Sequence, residues 1–343
     1  MGRIRAAIKQ VASHLPEYSL TNEQLVREFG DWDGDKIRSK TGIAARRIAA
    51  RDECSSDLGI AAAKALFAAG ACDPRDVDFL LFCTQSPDHF LPTTACLAHA
   101  GLNLRESCAA VDINQGCSGY LYGLAVAKGL VESRVAENVL LITSDTYSKF
   151  INPRDRSTRS IFGDGAAATL IAQSTESDDE ESIGPFLFGT DGGGAPNLIV
   201  RAGGMRCPAT RETSIERSDD AGNFRSDENL SMNGAEVFAF ALRSVPAAVN
   251  GLLARSGLGI ADVDYFLFHQ ANKFMLERLR DKLDIPPAKF AIDMEDTGNT
   301  VSSSIPIALE RATARGEVRP GDRVMLVGFG VGYSWAATLI RIP

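Results

Sequence analysis

The sequence predicts an α/β protein built from two similar halves. Residues 76–85 read DVDFLLFCTQ and residues 262–270 read DVDYFLFHQ, and each stretch follows a helical pattern rich in alanine and leucine. A short apolar run of this kind is typical of a strand that is buried on both faces, as in the sheet of an α/β protein. The two runs are therefore expected to form equivalent buried strands.

Two further pairs of segments repeat in the same order. The sequence FGDGAAATLIA at 162–172 matches FGVGYSWAATLIRI at 329–342. Between these landmarks, AAVDINQGCSG at 109–119 matches FAIDMEDTGNT at 290–300. Three matches in one order predict an internal duplication.

The boundary between the halves is expected in the acidic, polar stretch QSTESDDEES at 173–182. Such a stretch has little apolar surface to bury and is typical of a solvated loop. We therefore predict an N-terminal half at 1–173 that carries a nucleophilic cysteine, and a C-terminal half at 183–343 that carries a histidine and an asparagine.

Composition limits the class of protein. The chain has 343 residues, of which 45% are hydrophobic and 23% charged, with a net charge of −8. This acidic balance argues against wholesale binding of nucleic acid, although it leaves room for a local basic patch. The start, MGRIRAAIKQVASHLP, lacks the apolar stretch of a signal peptide, and no run approaches the roughly 20 apolar residues that span a membrane. We expect a soluble protein with no membrane partner.

The cysteines indicate a reducing compartment. Seven are scattered along the chain without CxxC pairs, at positions 54, 72, 83, 96, 108, 117 and 207. This spacing argues against a disulfide scaffold and against a zinc site. We therefore expect a cytoplasmic protein without a metal.

Cys117 has a distinctive context. The segment VDINQGCSGYLYGLAVAKGL at 111–130 predicts a strand, a tight turn and a helix, with Cys117 at or just before the helix N-terminus. Such positions lower the pKa of a cysteine from about 8.5 to roughly 3.5–7.5. Gly116 and Gly119 permit a tight turn and the close approach of another molecule. We predict that Cys117 is a nucleophile and that the other cysteines are small buried hydrophobes.

The duplication relates Cys117 to two distant residues. Cys117 corresponds to the turn that carries Asn299, and His269 ends the strand that matches residues 79–83. Taken alone, His269 reads as a core histidine and Asn299 as the cap of the following helix. If the halves pack about a pseudo-twofold axis, however, the three side chains converge on one catalytic site.

The ordered motifs GCSG, HQAN and GNT, with KTGIAARRIA near the start, resemble the β-ketoacyl-acyl carrier protein synthase III family of the thiolase superfamily. The segments IFGDGAAATLIA and GFGVGYSWAATLIRI extend this resemblance over essentially the whole chain. It implies a thiolase fold, with two duplicated halves in a five-layer α-β-α-β-α arrangement and a five-stranded mixed sheet in each half. It also implies a homodimer in which the strand near CAAVDIN pairs across the interface.

The resemblance implies a chemistry for these residues. Cys117 would take an acyl group from a thioester, and His269 and Asn299 would assist the decarboxylation of malonyl-acyl carrier protein before a Claisen condensation. The backbone amides of Cys117 and Val331 would form the oxyanion hole. The substrates would be thioesters of coenzyme A or of acyl carrier protein, with no cofactor. Two alternatives remain open: transfer of the acyl group to an amine or hydroxyl acceptor in a specialised pathway, and an inactive partner subunit.

The resemblance also implies substrate contacts. Arg156 matches an arginine that contacts coenzyme A. The helix after His269 carries basic residues that would dock an acidic acyl carrier protein, unless they form a merely solvated face: Lys273, Arg278, Arg280 and Lys282.

Three positions depart from the family pattern. Lys36 stands where a tryptophan usually stacks on adenine, and Trp32 lies four residues earlier. Phe274 replaces an arginine, and Leu91 occupies the position of a residue that reaches into the partner subunit's acyl pocket. The first two changes predict that a carrier-protein thioester acylates Cys117 better than a coenzyme A thioester does, unless Trp32 takes the stacking role.

Overall fold

The computed structural model describes residues 4–30, 32–174 and 181–342. The strands of these residues are β1 Ala6–His14, β2 Ser19–Thr21, β3 Ala45–Arg47, β4 Phe79–Cys83, β5 Ala109–Ile113, β6 Asn138–Asp145, β7 Gly165–Gln173, β8 Ile183–Thr190, β9 Leu198–Val200, β10 Arg217–Ser218, β11 Phe224–Arg225, β12 Leu230–Met232, β13 Tyr265–Phe268, β14 Arg323–Gly330 and β15 Ser334–Arg341. Their helices are α1 Asn22–Phe29, α2 Gly34–Thr41, α3 Ser55–Ala68, α4 Thr94–Gly101, α5 Gly119–Glu132, α6 Arg156–Arg159, α7 Gly234–Ser256, α8 Lys273–Lys282 and α9 Ser304–Ala314. Most of the predicted boundary at 173–182 lies outside the described residues, so the division of the chain there remains a prediction.

The two main sheets repeat one topology. The first has the strand order β1-β7-β6-β4-β5, and the second has the order β8-β15-β14-β13 when it is followed from the equivalent edge. In the first sheet β4 runs parallel to both neighbours, and in the second β13 runs parallel to β14. The repeated apolar runs form β4 and β13, which occupy equivalent positions and are largely buried, so the duplication is confirmed. In the described second sheet β13 is an edge strand, whereas β4 is flanked on both sides.

The second sheet differs from the expected five strands. At the position equivalent to β5, the described chain forms only an isolated parallel bridge between Phe290 and Phe266. Beyond this bridge, the side chain of Gln270 makes the hydrogen bonds to the backbone of this segment that a paired strand would otherwise make. Its Oε1 accepts the backbone N–H of Asp293 at 2.7 Å, and its Nε2 donates to the carbonyl of Ala291 at 3.5 Å. A fifth strand is therefore reduced to a single bridge.

Three clusters of buried side chains define five layers. One cluster lies between the sheets and includes residues of α5 and α9. A second packs α3 and α4 on the outer face of the first sheet, and a third packs α7 and α8 on the outer face of the second. The layers are therefore helices, sheet, helices, sheet and helices. This order is the predicted α-β-α-β-α arrangement of a thiolase fold.

The helix α7 corrects the expectation that no segment is long and apolar enough to cross a membrane. It has 23 residues and meets both criteria by length and composition. Half of its most apolar stretch is buried inside the protein, where Phe240, Val249 and Leu252 belong to the cluster on the second sheet. Packing against this sheet accounts for its apolar composition, because a core helix must bury one face.

Candidate active site

Cys117 lies in the turn between β5 and α5, with Ser118 at the N-cap of the helix. This placement confirms the predicted strand, turn and helix. The turn rests on β14, where a Cβ atom added to Gly330 would be only 2.6 Å from the Cys117 Sγ. A Cβ on Gly116 would meet the Gln85 Oε1 at 2.4 Å. The absence of a side chain at Gly116 therefore makes room for Gln85 and Val331.

The ionisation of Cys117 differs from the sequence-based expectation. Its side chain is buried, and burial raises the pKa of the thiol to about 12. Hydrogen bonds to the thiol from the backbone of Val331 and of Cys117 itself act in the opposite direction, but they do not overcome desolvation. A helix N-terminus favours a thiolate, yet here its effect is smaller than the cost of burying the charge. The side chain of Cys117 is therefore a thiol at neutral pH.

His269 follows β13 directly and is buried. Its backbone N–H donates to the Val327 carbonyl at 2.8 Å, which extends the pairing of β13 with β14 by one residue. The ring Nδ1 lies 2.7 Å from the Ser304 hydroxyl oxygen, and the ring packs edge-on against Phe329. Burial lowers the pKa of His269 to about 3, so the imidazole is neutral at physiological pH.

Asn299 is held against the N-terminal half. Its backbone N–H donates to the Ile161 carbonyl at 2.9 Å, and its carbonyl accepts from Gly163 at 3.0 Å. The side-chain Oδ1 accepts the backbone N–H of Val301 at 2.9 Å. Val301 has a φ of 53°, which is unusual for a β-branched residue and turns its N–H toward Asn299. The asparagine thus makes a local turn through Oδ1, which leaves its Nδ2 available.

Cys117, His269 and Asn299 line one cavity of about 130 Å³. The cavity is mostly apolar, and its other walls include Phe162, Leu198 and Met275. Asp145 connects the two halves next to this cavity. Its carboxylate accepts hydrogen bonds from the backbone N–H of Gln85, in the N-terminal half, at 2.8 Å and from that of Ser302, in the C-terminal half, at 3.2 Å. The structure therefore brings together the three side chains that the duplication relates. A buried thiol, a neutral imidazole and a carboxamide around an apolar space suit acyl-transfer chemistry without a charged base.

Arg156 and Trp32 lie together outside this cavity. The Arg156 guanidinium lies 5.0 Å from the Phe29 ring centroid and 5.9 Å from that of Trp32, and the two rings are 5.1 Å apart. Lys36 is exposed on α2. The longer segment before KTGI thus places Trp32 beside the arginine, which favours Trp32 as the stacking residue.

The two remaining departures from the family pattern are both exposed. Leu91 is 86% exposed, and Phe274 is 48% exposed on α8, where its ring stacks on Phe238 at 5.4 Å. Neither lines the cavity that holds Cys117.

The four basic residues of α8 differ in their availability. Arg278 is exposed and lies over the Phe274 ring, and Lys273 is only 3.9 Å from the Glu277 carboxylate. Arg280 pairs with Asp281 at 2.7 Å, and Lys282 donates to the Leu242 carbonyl at 2.9 Å. The helix therefore offers Arg278 and Lys273 to a partner more readily than it offers Arg280 and Lys282.

Sequence reasoning missed two polar residues next to the site. Ser304 contacts His269, and its only sequence signal is its place in the serine run that follows GNT. Gln85 follows β4, at the carboxyl end of a central strand, where ligands of open α/β sheets commonly bind. The expectation of burial for the other cysteines is confirmed for Cys83 and Cys108 and is wrong for Cys96, which is exposed. The remaining three are only half-buried: Cys54, Cys72 and Cys207.

Two family models match the chain. The model for 3-oxoacyl-[acyl-carrier-protein] synthase III matches residues 111–192, and the model for the C-terminal part of the same family matches residues 253–342. A β-ketoacyl-[acyl-carrier-protein] synthase III from Streptomyces coelicolor is 38% identical over 333 residues, which cover 97% of this chain and 96% of that protein. The chain belongs to the β-ketoacyl-acyl carrier protein synthase III family. This result confirms the resemblance inferred from the motifs.

Other synthase III proteins agree along the whole chain. The one from Caldanaerobacter subterraneus is 38% identical over 342 residues, covering 99% of this chain and 98% of that protein. A crystal structure of a 3-oxoacyl-(acyl-carrier-protein) synthase III is 53% identical, with a TM-score of 0.96 and coverage of 98% and 100%. The priming β-ketosynthase of the R1128 polyketide pathway is 30% identical with a TM-score of 0.85, covering 99% of this chain and 97% of that one. These relatives confirm the fold and an acyltransferase class, and they do not favour transfer to an amine or hydroxyl acceptor.

Proposed function

We propose that this protein condenses an acyl group with malonyl-acyl carrier protein, using Cys117, His269 and Asn299. The convergence of these three residues on one buried cavity is the observation that carries the proposal. The proposal extends the family assignment to particular residues and to particular substrates.

In the first half-reaction the Cys117 sulfur attacks the carbonyl of an acyl thioester. A new sulfur–carbon bond forms, the bond to the donor thiol breaks, and the departing thiolate takes the proton of Cys117. The oxyanion of the tetrahedral intermediate needs hydrogen-bond donors. The amides of Val331 and Cys117 suit this role, because both make hydrogen bonds at the sulfur atom in the resting site.

In the second half-reaction a malonyl thioester loses carbon dioxide. The resulting enolate carbon attacks the acyl-cysteine, and Cys117 leaves as a thiolate that takes up a proton. An enolate oxygen in a dry cavity needs donors more than it needs a base. His269 and Asn299 suit this role, because the neutral imidazole and the carboxamide each carry a hydrogen-bond donor.

Both donors would be oriented by their neighbours. The backbone N–H of Val301 donates to Oδ1 of Asn299, a residue that lines the cavity. The Nδ2 group is then the donor that Asn299 would offer to the substrate. Gln270 donates its backbone N–H to the Ser304 oxygen at 3.3 Å, and Nδ1 of His269 lies 2.7 Å from the same oxygen. We propose that the Ser304 hydroxyl donates to Nδ1, which would leave the proton of the neutral ring on Nε2. This arrangement would provide two donors for one enolate oxygen.

Acyl carrier protein and coenzyme A are the proposed carriers of the substrates. Arg278 and Lys273 on α8 provide a local positive surface that suits an acidic carrier protein. Arg156 and Trp32 provide a cation and an aromatic face that suit the adenosine phosphate of coenzyme A.

A homodimer is proposed through β5, the edge strand of the first sheet. This strand exposes the apolar side chains of Ala109 and Val111, of which Val111 is 41% exposed. An unpaired edge strand that exposes an apolar side chain suits pairing with another copy. The seven free cysteines agree with the proposed cytoplasmic location, because a reducing compartment preserves thiols.

The test uses malonyl-acyl carrier protein and acyl thioesters with the purified protein. We expect carbon dioxide release and a β-ketoacyl product. Cys117→Ala should abolish acylation while retaining some decarboxylation. Asn299→Ala should acylate but lose roughly 10²–10³ in decarboxylation rate, which is typical for removal of one oxyanion donor. Normal decarboxylation in Asn299→Ala would contradict the role assigned to this residue.

A further inference from the structure

A second cavity, of about 240 Å³, lies beside the one that holds the catalytic residues. Its apolar lining includes Phe150, Leu198, Ile199, Val200, Leu230 and Val331, and its polar lining is Gln85, Asn114 and Tyr147. No charged side chain lines it. A concave, mainly apolar space with a few polar groups is typical of a small-molecule site.

This cavity adjoins the nucleophile. Leu198 lines both cavities, and the side chain of Val331 packs against Gly116, the residue before Cys117. Cys117 and Leu198 also belong to one buried cluster with Tyr147. Because Leu198 lines both spaces, an acyl chain on Cys117 that extends past this side chain would enter the second one.

Gln85 contributes a side-chain amide to the lining of this cavity. Its backbone N–H is fixed by the Asp145 carboxylate, and its Oε1 accepts from the buried Tyr147 hydroxyl at 2.6 Å. The Nε2 donor of Gln85 has no hydrogen-bond partner among the described residues. A carboxamide that lines a cavity, with its acceptor oxygen occupied and its donor without a partner, favours a ligand with an acceptor oxygen. Asn114, at the exposed rim, adds a second amide.

We infer that the primer acyl group carries a neutral oxygen, as a ketone or hydroxyl, several carbons from its thioester. This inference rests on the proposed function and specifies its substrate class. A carboxylate would lack a cation among the lining residues, so the oxygen is neutral. The cavity, of about 240 Å³, has room for an acyl chain of several carbons.

The test compares the rates at which matched pantetheine thioesters acylate Cys117, followed by mass spectrometry of the intact protein. The acyl groups are hexanoyl and its analogues with a ketone or hydroxyl on the fifth carbon. A site built to bind an oxygen discriminates against an analogue that lacks it. We expect one oxygenated analogue to react at least about tenfold faster than hexanoyl.

Two variants and one control make this comparison specific. Gln85→Leu removes the donor, and Gln85→Glu removes it while keeping an acceptor for Tyr147. Both should lose the preference for the oxygenated acyl group. Gln173→Leu, which makes the same change at an exposed amide of β7 outside the lining, should retain it.

The outcomes separate this inference from the proposed function. Equal rates for all three acyl groups in the unaltered protein would overturn the inference. A preference that persists in both Gln85 variants would overturn it as well. If Cys117 is acylated and malonyl-acyl carrier protein is condensed in either case, the proposed function stands. If no thioester acylates Cys117 and no carbon dioxide is released, the proposed function itself fails.

Discussion

The Ser304 hydroxyl oxygen lies 2.7 Å from Nδ1 of His269 and also accepts the backbone N–H of Gln270. Ser304 begins α9 in the C-terminal half, five residues after Asn299. The segment from Val301 to Ser304 therefore contacts both donors proposed for the enolate. It orients the histidine through a side chain and continues the turn that orients the asparagine.

Loss of this hydroxyl should misplace the imidazole proton. We predict that Ser304→Ala lowers the malonyl decarboxylation rate by roughly tenfold to a hundredfold, within the range expected for weakening one donor, with little change in KM. Nitrogen NMR of labelled histidine should show less of the tautomer that is protonated at Nε2. Ser303→Ala is the matched control, because Ser303 donates to the Gly165 carbonyl and does not contact His269. An unchanged tautomer in Ser304→Ala would refute the positioning role.

The sequence predicts the convergence of the site because duplicated topology restricts where equivalent turns can lie. Cys117 and Asn299 occupy equivalent turns, and His269 ends the strand equivalent to β4. Ser304 and Gln85 could not be identified in this way, because their roles depend on hydrogen bonds across long sequence separations. The reduced fifth strand of the second sheet depends on one side chain, Gln270, whose contacts are invisible to a pattern of apolar residues.

The pKa of Cys117 illustrates the same limit. The position before a helix is visible in the sequence, whereas the degree of burial depends on packing against β14. Since burial raises the pKa to about 12, we predict that alkylation by iodoacetamide accelerates about tenfold for each pH unit from 6 to 9. A plateau below pH 8 would show that the thiolate forms more easily than this structure indicates. Cys117→Ala provides the background rate from the other cysteines.

The depressed pKa of His269 predicts a pH-dependent stability. The unfolded chain binds a proton at its histidine below about pH 6.5, whereas folded His269 does so only below about pH 3. Stability is therefore lost as the pH falls from about 6.5 toward 3, by up to about 1.4 kcal/mol for each pH unit. His269→Gln should remove this contribution, as measured by urea unfolding from pH 4 to 8.

Trp32, and not Lys36, should determine the use of coenzyme A thioesters. Stacking of a base on an aromatic ring contributes about 1–3 kcal/mol, so Trp32→Ala should slow Cys117 acylation from acetyl-coenzyme A by about tenfold or more. Acylation from the acetyl pantetheine thioester should be unaffected, because that donor lacks adenine. Lys36→Ala is the control on the same segment. Equal losses with both donors would indicate damage to the fold instead of lost stacking.

Arg278 should contribute to docking of the carrier protein. It is exposed on α8, and its guanidinium lies over the ring of Phe274, the residue that follows Lys273 in this helix. Arg278→Glu places a negative charge before an acidic partner, so we expect KM for malonyl-acyl carrier protein to rise roughly fivefold at low salt. The increase should shrink as salt screens the charges. Lys64→Glu makes the same charge change at an exposed site on α3 and should leave KM unaltered. Turnover of a malonyl pantetheine thioester should be the same in both variants, and an equal rise in KM for this small substrate would contradict a docking role.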